Sequence, residues 1–224
     1  MGAWLGPGLY YLDYGPMQMT LSAFCGKQPL DQEIMGAAGY AKDLLAELAP
    51  CLKVAKLPAG EIKQCPASTA VLAMMIDAVK RCPDPSLTPM AAVAGSIADS
   101  VADLLVQRGA TKVIVNNGGD IALRLAEGES VKVGITSDLN SRFISHMIEV
   151  DFASKVGGIA TSGWGGRGFT KGIASAAVVL GVNCRLADAC ATLVANHTFC
   201  PDPEIKQIWA EELDPDTDLC GHLV

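Results

Sequence analysis

The sequence predicts an α+β domain: a mostly antiparallel sheet with helices packed on it. Three observations lead there. Helical periodicities come early, a block of short hairpin-like strands follows them, and the strand–helix alternation of a doubly wound sheet is missing. Half of the 224 residues are hydrophobic and only 18% are charged, which supplies one continuous core. No repeat or linker divides the chain, so a single domain over residues 1–224 is expected, with a polar tail from about residue 200.

Taken in order, residues 17–24 alternate weakly and read as a first strand. Residues 31–48 form the first helix, with Asp31 as candidate N-cap and Ile34, Leu44, Leu45 and Leu48 at helical spacing. Residues 66–82 are the second, with Pro66 in its first turn and Val71, Leu72, Met75, Ile76 and Val79 on one face. The proline-rich stretch 82–89 breaks that helix, and Thr88 then caps a third, 90–108, with Pro89 at its start and Gly109 at its end. Ala91, Ala94, Gly95 and Ala98 give this helix a narrow face of small residues, suited either to tight packing or to close approach of a ligand. Strands at 112–116, 120–125 and 130–135 follow, the last two joined by a turn-prone 126–129. Residues 146–152 and 173–181 are later strands, and 186–195 the last helix.

The net charge of −7 and the absence of any Lys/Arg run make nucleic acid and anionic membranes poor partners. A phosphate-bearing small molecule stays compatible with this charge, because backbone N–H groups or a bound cation hold phosphate without a basic surface. The N-terminus has no positive segment followed by a long apolar one, and no unbroken apolar run reaches the ~18 residues of a membrane span. Eight scattered cysteines without C-x2-C spacing suit a reducing compartment, so a cytoplasmic protein is expected. Cys190, His197 and Cys200 could be offered as a soft metal site, but they are spaced more loosely than usual zinc ligands, and buried thiols are the plainer reading.

Three segments are awkward for mere packing. Residues 116–120 (Asn116, Asn117, Gly118, Gly119, Asp120) follow a buried strand; they read either as a hairpin turn or as a place where backbone N–H groups come close to a ligand. Residues 160–168 carry Thr161, Ser162, Gly163, Trp164 and Arg167 among glycines, either a surface loop or a nest that wraps an anion with Arg167 as a fork. Asp188 and Thr192 stand four apart on the last helix and share one face. They offer hard oxygen donors suited to Mg2+, or else a charge that steadies the helix N-terminus. No nucleophile elbow surrounds Ser162, and His146, His197 and His222 suggest no catalytic triad.

Together and in order, these segments resemble the ApbE family, the FAD:protein FMN transferases. The matching residues are Gly95 with Asp99, then Asn116 to Ile121, then Thr161 to Gly163, then Ala187 and Asp188 with Thr192. A branch of that superfamily without a settled activity is more similar still, through 88–95, 115–122 and the Gly-Gly-Arg loop. The resemblance implies a T-fold-like α+β domain. It implies Asp188 and Thr192 as Mg2+ ligands with the Ala91 carbonyl as a third. It also implies FAD or a related nucleotide against Gly95, Asp99, Asn117, Gly118, Gly119, Asp120, Thr161, Ser162 and Gly163, with Asp188 as a catalytic residue, to which the glycine-rich loop adds Arg167 as a second candidate. Two features depart from the family. Its Lys-Gly step reads Ala94-Gly95 here, and its His-containing stretch after the Thr-Ser-Gly loop is missing; Arg167 or Lys171 could restore the lost charge. Three functions remain open: Mg2+-dependent cleavage or transfer at a flavin or nucleotide pyrophosphate, a carrier or sensor that binds without turnover, and a T-fold enzyme acting on a pterin- or purine-like ring held by Asp120 or Asp99. The small-residue helix also suits a homodimer contact.

Overall fold

In the computed structural model, which describes residues 1–63, 69–136, 144–166 and 168–224, the chain opens with strands β1 (Gly2–Gly6), β2 (Leu9–Tyr14), β3 (Met17–Cys25) and the short β4 (Gln28–Pro29). Helices α1 (Asp31–Leu48), α2 (Leu52–Ala55), α3 (Ala70–Lys80) and α4 (Val93–Gln107) follow, with a 3-10 turn, Pro89–Ala92, leading into α4. Then come β5 (Lys112–Asn117), β6 (Asp120–Leu125), β7 (Ser130–Ile135), β8 (His146–Asp151), β9 (Gly158–Ser162) and β10 (Ala177–Gly181), and finally α5 (Cys184–Asn196) and α6 (Ala210–Leu213). The main sheet has the order β1-β2-β3-β5-β6-β9-β10, with β4 beside β3, and every described pairing is antiparallel. The chain is therefore α+β with an antiparallel sheet, as the sequence predicts.

Period-two burial decides which face meets the helices. Met17, Met19, Leu21 and Ala23 of β3, with Val113 and Val115 of β5, are buried together with α1, α4 and α3 in one core. The opposite face packs Leu123 and Ile159 against Val133 and Val150 of the separate β7–β8 hairpin. Helix α4 buries most of its length, including Ile97, Val101 and Leu105 and also the polar Ser96 and Asp99. Among the described residues, the segment Pro89–Gln107 is the one helix long and apolar enough to cross a membrane, and 56% of its apolar window is covered by this fold.

Several sequence expectations shift. β1 and β2 escape periodicity reading because glycines interrupt a short hairpin, whereas the end of β9 reads as loop because its Thr161 and Ser162 resemble turn residues. Asp31 does not cap α1: Leu30 holds that position, and Asp31 Oδ1 instead accepts from the Gly8 amide at 2.7 Å, tying the β1–β2 turn to the helix. Pro66 lies outside the described residues; α3 starts at Ala70, capped by Thr69, which accepts from the Leu72 amide at 3.2 Å. Thr88 has the extended backbone of a cap, but its hydroxyl donates to Asp218. The expected polar tail folds back: residues 208 and 210 pair with 224 and 222, and the strap thus formed delivers Asp218 to Thr88.

Candidate functional site

Helix α5 is the element that builds the site, and its placement begins at its N-terminus. Asn183 caps it, accepting from the Leu186 amide at 3.0 Å. Asp99, fully buried on α4, accepts from the amides of Cys184 and Arg185 at 3.1 and 3.0 Å and pairs with Arg124 and Arg185 at 3.0 and 3.1 Å. Gly95 and Gly158 let the backbone at Cys184 come close: a Cβ on Gly95 would lie 2.6 Å from the Cys184 carbonyl oxygen, and one on Gly158 would lie 2.3 Å from its amide nitrogen. One turn further on, Asp188 points inward, and its Oδ2 accepts from the Gly95 amide at 2.8 Å.

From there α5 looks across a cavity of about 350 Å³. Asp188 and Thr192 form one wall, Gly118 and Asp120 another, Thr161, Ser162 and Gly163 a third. Ala91, Ala94 and Asn117 also line it. The acid and the alcohol of α5 thus face both glycine-rich stretches across one hollow, the arrangement on which the sequence reading depends.

Other expected members fall elsewhere. Asp99 is not in the cavity; its oxygens are occupied by two arginines and two amides, so its role is to dock α5 onto α4. Gly95 is a packing glycine whose amide serves Asp188 and not a ligand. The small-residue face is divided: Ala91 and Ala94 line the cavity, whereas Gly95 and Ala98 are buried inside the chain, which covers that part of the face proposed for a homodimer contact. Gly119 does not line the cavity, and Arg167 lies outside the described residues.

The expectation of free glycine amides also needs correction. Gly118 and Gly119 have φ of +71° and +115° and make the two-residue turn between β5 and β6. Their amides are committed, Gly118 donating to the Gln18 carbonyl at 3.1 Å and Gly119 to Asn116 Oδ1 at 2.9 Å. In the second loop the amides of Trp164, Gly165 and Gly166 donate to the carbonyls of Ala174, Ser175 and Gly163. Those five amides shape the loops and are not offered to an anion.

Four polar contributors carry no signal of a site in the sequence, Ser86, Thr88, Asn196 and Asp218, and they stand beside Lys171, which the sequence offers only as a replacement charge. Thr88 and Asp218 bond each other, and Lys171 Nζ donates to Ser86 Oγ at 3.3 Å. The Lys171 amide donates to Asn196 Oδ1 at 3.0 Å, anchoring its loop to the end of α5. Asp218 gives no such signal because a segment without motif separates it from the rest.

The electrostatics are those of an acidic hollow. Burial, with Asp120 and then Asp99 nearby, pushes the Asp188 carboxyl well above the usual carboxylate range, despite the Gly95 amide acting against it. Burial pushes Asp120 up to about 7, opposed by the Thr161 amide, which donates to its Oδ1 at 3.3 Å. Two desolvated carboxyls facing each other hold protons unless a cation takes their place. Among the described residues no three His, Cys, Asp or Glu side chains gather into a metal cage, which leaves the offered soft site around His197 without support.

The chain is similar to UPF0280 proteins of archaea: 31% identical over 156 residues to one from Methanopyrus kandleri, which covers 69% of this chain and 59% of the relative. It is 36% identical to one from Methanococcus aeolicus (53% and 49%) and 40% identical to one from Methanococcoides burtonii (49% and 46%). The aligned part thus spans about half the length of these relatives. Over residues 3–224 the chain matches the family described as AbpE bacteria, and it belongs to that family.

Proposed function

We propose that the cavity binds a pyrophosphate-bearing ligand of the flavin or nucleotide class together with Mg2+, and that it cleaves or transfers at that pyrophosphate. The observation that carries this reading is the convergence of Asp188 and Thr192 with Gly118, Asp120, Thr161 and Ser162 on one hollow. The likeness to the ApbE transferases in these same segments supports it.

The donors present fit a hard divalent cation. Asp188 Oδ2 is held by the Gly95 amide, the Thr192 hydroxyl stands one helical turn away, and Ala91 lines the same wall. Mg2+, when bound, neutralises charge on phosphate oxygens. The chain's own residues do the remainder. Lys171 supplies positive charge to the ligand's phosphate, Asp120 accepts or donates a hydrogen bond according to its protonation, and Thr161 and Ser162 offer hydroxyls in place of the committed backbone amides.

Incubating the protein with FAD and Mg2+ and following AMP release by chromatography tests the reading. Release is expected from the wild type and not from Asp188→Ala; a wild type that shows no binding and no release would refute the reading. A carrier that retains FAD intact is the second reading, favoured because Lys171 is the one Lys or Arg side chain lining the cavity among the described residues. Tight FAD binding without AMP would select it.

A further inference from the structure

Cys82 and Cys190 lie 108 positions apart in sequence, yet their sulfur atoms are 3.9 Å from each other. Cys82 follows the last turn of α3 and is buried; Cys190 sits on α5 between Asp188 and Thr192 and is partly exposed. The stretch that leaves Cys82 runs through two prolines into Ser86, Leu87 and Thr88, which line the cavity. The two thiols therefore join opposite walls of the site at the point where α3 meets α5. We propose that they form an oxidisable pair, closed by a peroxide into an intramolecular disulfide that pins the Ser86–Thr88 wall to the helix bearing Asp188. This rests on the sulfur geometry alone and not on the ligand assigned above.

The chemistry balances with hydrogen peroxide as the oxidant. Cys190, the more accessible thiol, gives up two electrons to the peroxide, becoming a sulfenic acid as one water leaves. The Cys82 sulfur then attacks the Cys190 sulfur; the S–O bond breaks, the Cys82 proton joins the departing hydroxyl, and a second water leaves. A disulfide spans ~2.05 Å, so the sulfurs approach by about 1.9 Å from their present 3.9 Å. Burial, with the neighbouring Cys190, pushes the Cys82 thiol up to about 12, which leaves the more accessible Cys190 as the thiol that meets the peroxide first. The exposed cysteines Cys25, Cys200 and Cys220 are internal competitors for the same oxidant.

The test is peroxide treatment of the full chain, alkylation of residual thiols, and non-reducing digestion with mass spectrometry. The expected product is a peptide pair joining Cys82 to Cys190 that dithiothreitol separates, with slower hydrogen exchange over residues 83–88 in the oxidised protein. Cys190→Ser should leave Cys82 as a free, alkylatable thiol, circular dichroism confirming its fold. Because the peptide map is read on wild-type protein, it stands even if a variant misfolds. Cys190 recovered as sulfinic or sulfonic acid beside an alkylated Cys82, or cross-links that run instead to Cys25, Cys200 or Cys220, would overturn the proposal.

Discussion

Three aspartates show how one residue type takes three roles. Asp99 is structural: replacing it with Ala leaves Arg124 beside a buried void and frees the first amides of α5. A loss of about 3 kcal/mol or more is expected in urea unfolding, with no dependence on added ligand. Asp188 is the residue proposed to take a cation, its Oδ2 held by the Gly95 amide. Asp120 gives the pH signature. Its folded value is raised from 3.8 to about 7, so between about pH 4 and about pH 7 the unfolded chain releases a proton that the folded protein keeps. Stability without divalent ions therefore falls as pH rises through that window and levels off above it. Asp120→Asn should flatten the fall in thermal melts run with a chelator, leaving the part owed to Asp188, which is raised in the same direction. Coincident wild-type and variant profiles would show that Asp120 is not desolvated.

At the scale of elements, the site depends on how closely α5 approaches α4 and β9. Gly95→Ala would force a methyl against the Cys184 carbonyl, costing about 1–3 kcal/mol and shifting Asp188 away from its amide. Asn183→Ala removes the α5 cap and should cost about 1 kcal/mol, measurable as a lower denaturation midpoint with an unchanged slope. The sequence made the long elements legible because their periodicity is strong: α1 is found over the same residues, and β6 and β7 as well. It concealed β1, β2 and β9, where glycines and hydroxyl residues mimic turns. Asp188, Thr192, Asp120, Thr161 and Ser162, which line the cavity, are readable because they sit in local motifs. Asp99 and Gly95 carried the same motif signal but serve packing, and only tertiary contacts separate the two roles.

Across the whole molecule, the cavity is closed by distant segments that share no local pattern. The strap from residue 208 onward brings Asp218 and Leu219 to one wall, held by Thr88. Asp218→Ala should weaken ligand binding several-fold while leaving the melting temperature nearly unchanged, since the hydrogen bond is partly exposed and outside the main core. The central claim is that α5 and the two glycine-rich turns surround one cation-dependent ligand site. Titration calorimetry with FAD in the presence and absence of Mg2+ measures this most directly, on the wild type, Asp188→Ala and, as a milder change on the same wall, Thr192→Val. The account predicts wild-type binding that requires Mg2+, lost in the first variant and weakened in the second, with both variants folded by circular dichroism. Binding that ignores Mg2+ and survives both substitutions, or no binding by the wild type, would contradict it.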